Sequence, residues 1–195
     1  MLSRYSEPDS PVASAPSPYL GRSTFPLRHR AKRLAWSVCW TLFAAWTPPQ
    51  FQPLRRMLIR SFGAKMHPTA DVRSSAQIWW PGNLTMGAHA IIGPGAICYN
   101  VAEVVLDDFA IVSQRAHLCA ASHDVHDPNF PLVARPIRIG RRAWIAAEAF
   151  VGPGVKAGEG SVLAARGVAV RDLDPWTIHA GNPARAVKAR TRFED

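Results

Sequence analysis

An apolar residue returns at every sixth position in the second half of the chain, and this period constrains the fold more than any other feature. Six consecutive hexapeptides keep the frame without a slip, with leading residues Ile139, Ile145, Val151, Ala157, Leu163 and Ala169. A helix needs a period of about 3.6 residues and a half-buried strand a period of about two, so neither explains this spacing. Most residues that follow the leading positions are small, which allows the chain to bend sharply after a short strand. The pattern predicts a β-solenoid in which three hexapeptides form one triangular coil.

The frame continues upstream, although less regularly. Its further leading residues are Val72, Ile78, Leu84, Met86, Ile92, Cys98, Leu106, Val112 and Leu118. Residues 124–138 cannot fit the six-residue frame, and we predict that they leave the solenoid as a loop. His123 stands directly before this loop, at the kind of place where a rigid scaffold often holds functional side chains.

The net charge of +9 is concentrated in one segment. Residues 28–65 contain eight Lys and Arg and no acidic residue, whereas the rest of the chain is almost neutral. Because a protein that binds nucleic acid spreads its basic residues over the contact surface, we expect no nucleic-acid partner. The same segment contains an apolar run, Leu34 to Trp46, which is too short to span a bilayer. Two interpretations stay open: the segment packs its aromatic side chains on the main domain, or it lies on a membrane surface.

Composition sets the broad class of the protein. With 48% hydrophobic and 19% charged residues, the chain is neither disordered throughout nor a membrane protein with many spans. The cysteines are odd in number and lack the spacing of metal ligands: Cys39, Cys98 and Cys119. This usage fits a reduced, cytoplasmic protein, either free or peripheral at the inner face of the membrane.

These patterns divide the chain into four parts. Residues 1–27 are rich in Pro and Ser and predict a flexible tail. Residues 28–65 predict a basic, Trp-rich helical segment. The β-helix is expected over residues 66–185, and residues 186–195 are expected to form a C-terminal tail.

The repeat and five short segments carry a resemblance to a known family. The segments are Cys98-Tyr99-Asn100, Ser122-His123-Asp124, Trp144-Ile145-Ala146-Ala147-Glu148-Ala149, Gly152-Pro153-Gly154-Val155 and Gly181-Asn182-Pro183-Ala184-Arg185. The stretch from Ile78 to Arg185 resembles the hexapeptide-repeat acetyltransferases. Within that family it closely resembles the colanic acid biosynthesis acetyltransferases, a branch of the maltose, galactoside and nodulation O-acetyltransferase group.

The resemblance implies a fold and an activity. The fold is a left-handed parallel β-helix, an exception to the usual right-handed crossover. The activity is transfer of an acetyl group from acetyl-CoA, without a metal, to a sugar hydroxyl in exopolysaccharide biosynthesis. The acceptor saccharide is either free or carried on a membrane lipid. The family also implies a homotrimer with parallel subunit axes and active sites between subunits.

The resemblance places the catalytic histidine at His123. There it acts as the general base, taking the hydroxyl proton as the oxygen attacks the acetyl-CoA carbonyl directly. His126 and His117 are the alternatives for the base. Cys119 could instead accept the acyl group as a nucleophile, although a buried repeat residue is the better interpretation and the resembling enzymes use direct transfer.

The resemblance also names residues that bind the two substrates. Asn100 matches an acceptor-site asparagine, or it closes a coil corner; Asp124 contacts the sugar or a ring, or it caps the loop turn. For coenzyme A the matching residues are Trp144, Ala147, Ala165, Arg171 and Arg185. Small side chains leave room for the pantetheine arm, and a guanidinium group offers paired donors to phosphate. Ordinary packing or a solvated charge is the alternative at each of these positions.

Two other classes of function remain. One is a catalytically inert scaffold built on the same β-helix. The other is a metal-dependent hydratase of the γ-carbonic anhydrase type, which needs three zinc-binding histidines. That family places two histidines five residues apart, whereas His117 and His123 are six apart and His89 is not convincingly in register.

Overall fold

The computed structural model describes residues 24–192, and most of them form a triangular parallel β-helix. The predicted N-terminal tail therefore lies largely outside the described residues, as do residues 193–195. Three parallel sheets form the faces of the prism, and the chain visits sheets A, B and C in turn before it starts the next coil.

The strands are short, as the hexapeptide period requires. Sheet A contains β1 Lys65–Met66, β4 Leu84–Met86, β7 Val104–Leu106, β12 Ile137–Ile139 and β15 Lys156–Ala157. Sheet B contains β2 Asp71–Val72, β5 Ile91–Ile92, β8 Ile111–Val112, β13 Trp144–Ile145, β16 Val162–Leu163, β18 Thr177–Ala180 and β19 Arg185–Ala189. Sheet C contains β3 Gln77–Ile78, β6 Ile97–Tyr99, β9 His117–Cys119, β14 Phe150–Val151 and β17 Val168–Ala169.

The leading residues of the hexapeptides form the core. Each points inward from its strand, and those that are 0% exposed include Ile92, Leu106, Ile139, Ile145, Val151 and Leu163. Buried alanines occupy the corners between sheets, among them Ala90, Ala96, Ala110, Ala116, Ala143 and Ala149. Glycine is required where coils approach closely: a Cβ at Gly140 would lie 2.8 Å from the carbonyl oxygen of Ala157 in the next coil. One inward apolar side chain per strand and one small residue per corner account for the period.

The irregular frame upstream has a structural cause. Residues paired between the N-terminal coils are 20 positions apart, as Val72 is from Ile92, whereas Ile145 and Leu163 in the C-terminal coils are 18 apart. The extra residues lie at the corner between sheets C and A, which includes the 3₁₀ turn Pro81–Asn83. The hydrophobic frame shifts there without disturbing the three sheets.

Two helices precede the first coil: α1 Leu27–Phe43 and α2 Gln52–Ser61, with a 3₁₀ turn at Pro49–Phe51 between them. Trp36 and Trp40 of α1 are buried, and the indole N–H of Trp36 donates to the carbonyl of Ile78 in sheet C at 2.7 Å. Two aromatic side chains of α1 thus pack on the main domain, whereas Phe43 at its end and Trp46 beyond it stay 53% and 70% exposed. Across residues 24–192, neither helix combines the length and the apolar composition that crossing a membrane requires.

The chain departs from the coils twice. Between sheets C and A, β10 Ala121–His123 and β11 Leu132–Ala134 pair as an antiparallel hairpin. The predicted loop, residues 124–138, is therefore shorter than expected, because Ile137 and Arg138 already belong to β12 in sheet A. The second departure corrects the predicted C-terminal tail: its first residues belong to β19, which folds back antiparallel on β18 after a turn at residues 181–184. The backbone groups of β19 are thereby paired with those of the last coil, which a free tail would leave to water.

Candidate active site

His123 is the last residue of β10, and the hairpin fixes its ring on two sides. Its Nδ1 atom lies 2.8 Å from the carbonyl oxygen of Phe130, and the two rings are stacked with centroids 4.4 Å apart. Because a carbonyl oxygen can only accept, Nδ1 carries the proton in this contact. In the neutral ring Nε2 then keeps its lone pair, which is the tautomer a general base needs.

The loop between the hairpin strands is shaped by short side-chain turns. The carboxylate of Asp124 accepts from the backbone N–H of His126 at 2.9 Å, and Asp127 accepts in the same way from Asn129 at 2.7 Å. Phe130 completes the loop with a φ of 48°, a left-handed conformation that a bulky residue adopts only when its surroundings impose it. The contacts of Asp124 are therefore those of a loop cap, the second of its two interpretations.

Asn100 closes the coil corner beneath the hairpin. Its side chain is 0% exposed, its Oδ1 accepts from the backbone N–H of Trp80 at 3.1 Å, and its Nδ2 donates to the Trp80 carbonyl at 2.7 Å. Both polar atoms of the amide thus hold the neighbouring coil. These contacts favour the corner interpretation over a contact with the acceptor.

Four of the five coenzyme A candidates follow one corner of the prism. Ala147 and Ala165 lie between sheets B and C in adjacent coils, where the N–H of Arg166 donates to the Ala147 carbonyl at 3.0 Å. Trp144 precedes them in β13, and Arg185 begins β19 as an exposed side chain above them. Arg171 instead follows β17 at the corner between sheets C and A.

The candidate base and these four residues lie on different corners of the same chain. The His123 hairpin leaves the corner between sheets C and A, which Arg171 shares, whereas the other four residues follow the corner between sheets B and C. Sheet C separates the two corners. If both groups serve one reaction, each is a half-site, and the two half-sites of a single chain lie apart.

An ion-pair ladder at the second corner escaped the sequence analysis. The carboxylate of Glu148 accepts from the guanidinium groups of Arg115 and Arg166, and these bonds hold the pKa of Glu148 below its ordinary value. Glu148 and Arg166 are 18 positions apart, which is one coil, so the spacing was a signal that could have found the pair. The ladder lies directly beside Ala147 and Ala165. The sequence also did not reveal the contact of Phe130 with the His123 ring, because Phe130 lies in the loop, outside the six-residue period.

No protein-family model matches the sequence. Over 162 residues the chain is 36% identical to WcaF of Escherichia coli (strain K12), a protein named as a colanic acid biosynthesis acetyltransferase. The match covers 83% of this chain and 88% of WcaF. The chain belongs to this acetyltransferase family. It is an acetyltransferase, as the sequence predicted.

Two solved structures share the fold of the acetyltransferase. A maltose O-acetyltransferase from Clostridium difficile 630 superposes with a TM-score of 0.76 at 21% identity, covering 86% of this chain and 90% of that one. A galactoside acetyltransferase in complex with coenzyme A gives a TM-score of 0.77 at 23% identity, covering 87% of this chain and 86% of that one. The predicted fold class, a left-handed parallel β-helix of hexapeptide repeats, is confirmed.

Two cysteines of the acetyltransferase, Cys98 and Cys119, lie in the solenoid without the surroundings of a nucleophile. Burial raises the pKa of Cys98 to about 12, so this thiol stays protonated and inert. The Sγ atom of Cys119 donates to the carbonyl of Ala121 at 3.1 Å, a contact that uses the thiol hydrogen. Neither the burial of Cys98 nor the contact of Cys119 is typical of an activated nucleophile.

The histidines needed for a zinc site do not converge. His89 stacks on Phe109 at the corner between sheets A and B, His117 packs edge-on against Phe150 in sheet C, and His123 lies in the hairpin. Burial lowers the pKa of His117. Within residues 24–192, no three His, Cys, Asp or Glu side chains approach closely enough to hold a metal ion together.

Proposed function

We propose that this acetyltransferase moves the acetyl group of acetyl-CoA to a hydroxyl group of a saccharide, in the synthesis of an exopolysaccharide of the colanic acid type, with His123 as the general base. The observation that carries the proposal is the bond from Nδ1–H of His123 to the Phe130 carbonyl, because it leaves Nε2 able to accept a proton. The names of the relatives support the reaction: WcaF is named for colanic acid biosynthesis, and two neighbours are named for maltose and galactoside acetylation.

The proposed reaction is direct transfer. The acceptor oxygen attacks the thioester carbonyl carbon while Nε2 of His123 removes the hydroxyl proton. The bond from Nδ1–H to the Phe130 carbonyl becomes charge-assisted as the imidazolium forms, which stabilises the base at that moment. When the tetrahedral intermediate collapses, the carbon–sulfur bond breaks and the imidazolium returns the proton to the thiolate of coenzyme A. A backbone N–H would stabilise the oxyanion in between.

Acetyl-CoA, in this proposal, lies along the corner between sheets B and C. The small side chains of Ala147 and Ala165 leave room for the pantetheine arm beside the exposed indole of Trp144, and Arg185 reaches the phosphates. Arg171 lies on the corner of the His123 hairpin, so it would enter the site together with the base. No metal takes part.

Replacing Arg185 by Gln tests the phosphate contact. We expect the KM for acetyl-CoA to rise by about tenfold or more with kcat little changed, because charge-assisted hydrogen bonds to the phosphates are lost before the chemical step. Lys188→Gln is the matched control, since Lys188 is also an exposed cation on the same strand. Steady-state kinetics of thiol release measure both variants, and an equal rise in KM for the two would contradict the assignment.

We further propose a homotrimer, because two half-sites on different corners of one chain can meet only between subunits. In solution the protein should have about three times the 21.4 kDa mass of one chain, as measured by light scattering. A monomeric mass together with full activity would contradict the shared site.

The experiment that tests the whole function is a screen of free and lipid-linked saccharides with acetyl-CoA, followed by thiol release. Thiol release with a saccharide and a product acetylated on oxygen support the proposal. No release with any saccharide would contradict the proposed acceptor, and stoichiometric zinc in the purified protein would contradict a reaction without a metal. The proposed acceptor is a lipid-linked saccharide, and the proposed location is the cytoplasm at the inner face of the membrane.

A further inference from the structure

Helix α1 has two apolar faces, and only one of them is covered by the protein. Trp36 and Trp40 are buried against the main domain. On the opposite side, residues at helical spacing are largely exposed: Leu27 at 77%, Leu34 at 66%, Val38 at 47% and Leu42 at 57%. Exposed Ala31 and Ala35 fill the same stripe. We call these six residues the outward face of α1.

An outward face of this kind needs a partner. The solvent side of a helix that packs on a globular domain is normally polar, and contiguous exposed apolar patches mark interaction sites. Just beyond α1, Trp46 is 70% exposed, although its indole N–H is satisfied by the Leu42 carbonyl at 2.8 Å. The indole ring of Trp46, which is apolar with one polar N–H group, is therefore also left exposed by the rest of the protein.

The charges around the outward face indicate which partner fits. Arg28, Arg30 and Lys32 flank its first turns and are all exposed, and residues 28–65 contain no acidic side chain. Contact between two copies of this surface would bring two strongly basic segments together. An apolar stripe flanked by cations, with Trp at its edge, matches an interfacial helix on anionic lipid.

We propose that the outward face of α1 binds the anionic surface of a lipid bilayer. The bilayer takes the apolar stripe at the level of its headgroups, while the flanking cations meet lipid phosphates. Trp36 and Trp40 have no part in this contact because they are core residues. The membrane contact of the basic segment thus falls on residues other than its buried tryptophans.

The placement of α1 also relates the bilayer to the active site. Trp36 bonds to Ile78 at the end of β3 in sheet C, and β6 and β9 are the next strands of that sheet. His123 follows β9 after the corner, so α1 and the hairpin adjoin the same sheet, with neighbouring strands about 4.8 Å apart. Membrane binding by α1 would bring a saccharide on a lipid carrier close to His123. This consequence rests on the proposed function, in which His123 is the base.

Vesicle binding by the full chain tests the surface. The variant combines Leu34→Glu with Val38→Glu, which places two carboxylates on the outward face. Val187→Glu is the matched control, because Val187 is 63% exposed on β19, away from α1. With vesicles of phosphatidylcholine and phosphatidylglycerol, we expect wild type and control to co-sediment alike and the double variant to bind at least about tenfold more weakly. The exposed positions should leave the thermal unfolding midpoint unchanged, so lost binding cannot be ascribed to misfolding.

A second pair of substitutions tests whether vesicle binding needs the cations beside the outward face. Arg28→Gln combined with Lys32→Gln should weaken binding to the same vesicles by about tenfold or more. Wild type should bind vesicles of phosphatidylcholine alone much less than those containing phosphatidylglycerol. Equal binding to both, or wild-type binding by Leu34→Glu with Val38→Glu, would overturn the inference. So would a fall in the solution mass of the glutamate variant, because the outward face would then be a subunit contact.

The proposed membrane contact and the proposed function can be contradicted independently of each other. The glutamate variant should transfer acetyl groups to a free saccharide at the wild-type rate, because its substitutions lie outside the proposed site. If the wild-type protein transfers acetyl groups but does not bind vesicles, only the proposed membrane contact is overturned. Vesicle binding without transfer to any saccharide would overturn the proposed function and leave the membrane contact in place.

Discussion

Replacing His123 by Ala should lower kcat for acetyl transfer by about 10²- to 10⁴-fold, the usual contribution of a positioned general base. The KM for acetyl-CoA should change little, because His123 lies on a different corner from the four residues proposed to bind coenzyme A. Thiol release in the presence of a saccharide acceptor measures both constants. The same variant should keep its fold, since the hairpin leaves the coils and its ring contributes nothing to the core.

His126→Ala is the matched control for this experiment. His126 is exposed on the same loop, and its backbone N–H, which any residue retains, makes the bond to Asp124. We therefore expect the control to transfer acetyl groups at nearly the wild-type rate. A large loss in His126→Ala with a small one in His123→Ala would move the base to His126. Wild-type transfer by His123→Ala would remove the proposed mechanism altogether.

The fold could be predicted from the sequence because the hexapeptide rule is local. Whether Ile139 or Ile145 faces inward depends on its place in the period, and every coil repeats the choice. The position of the candidate base could be predicted for a related reason, because His123 precedes the one long interruption, where the chain must leave the prism, although its catalytic role rests on the family resemblance and stays a prediction. The contact that orients its ring could not, because Phe130 reaches it only through the turns of the loop.

The N-terminal segment shows where pattern reasoning stops. The run from Leu34 to Trp46 is apolar on several sides, so its sequence does not say which side meets the domain. In the structure, Trp36 points into the core while Leu34 and Val38, two positions away in either direction, face outward. The sequence offered packing and membrane contact as alternatives; the packing uses one face of the helix, and the membrane contact that we propose would use the opposite face. Likewise the amide of Asn100 is taken by Trp80, a residue one coil away, which no local rule reveals.

Among residues 24–192, we expect Arg55 to be the cation whose loss outside the candidate active site destabilises the protein most. Its side chain is 1% exposed in α2, and it donates to the Val72 carbonyl at 2.9 Å, the Thr47 hydroxyl at 3.0 Å and the Pro48 carbonyl at 2.9 Å. It also lies 3.6 Å from the buried carboxylate of Asp71. One guanidinium group therefore joins α2, the connection from α1 and the first coil.

Arg55→Met should lower the free energy of unfolding by about 3–5 kcal/mol, because several buried carbonyl groups lose their donor and the Asp71 carboxylate keeps only Arg73, at 3.2 Å, as a cationic partner. Urea denaturation measures the loss, and Arg60→Met on the same helix is the control, because an exposed arginine contributes within about 0.5 kcal/mol. Adding Asp71→Asn to Arg55→Met should cost less than the sum of the two single losses, since the substitutions remove the same ion pair. Equal losses for Arg55→Met and Arg60→Met would show that the helices are held by their apolar contacts alone. A selective loss would mean that the attachment of both helices, and with it the placement of the outward face of α1, depends on this buried charge.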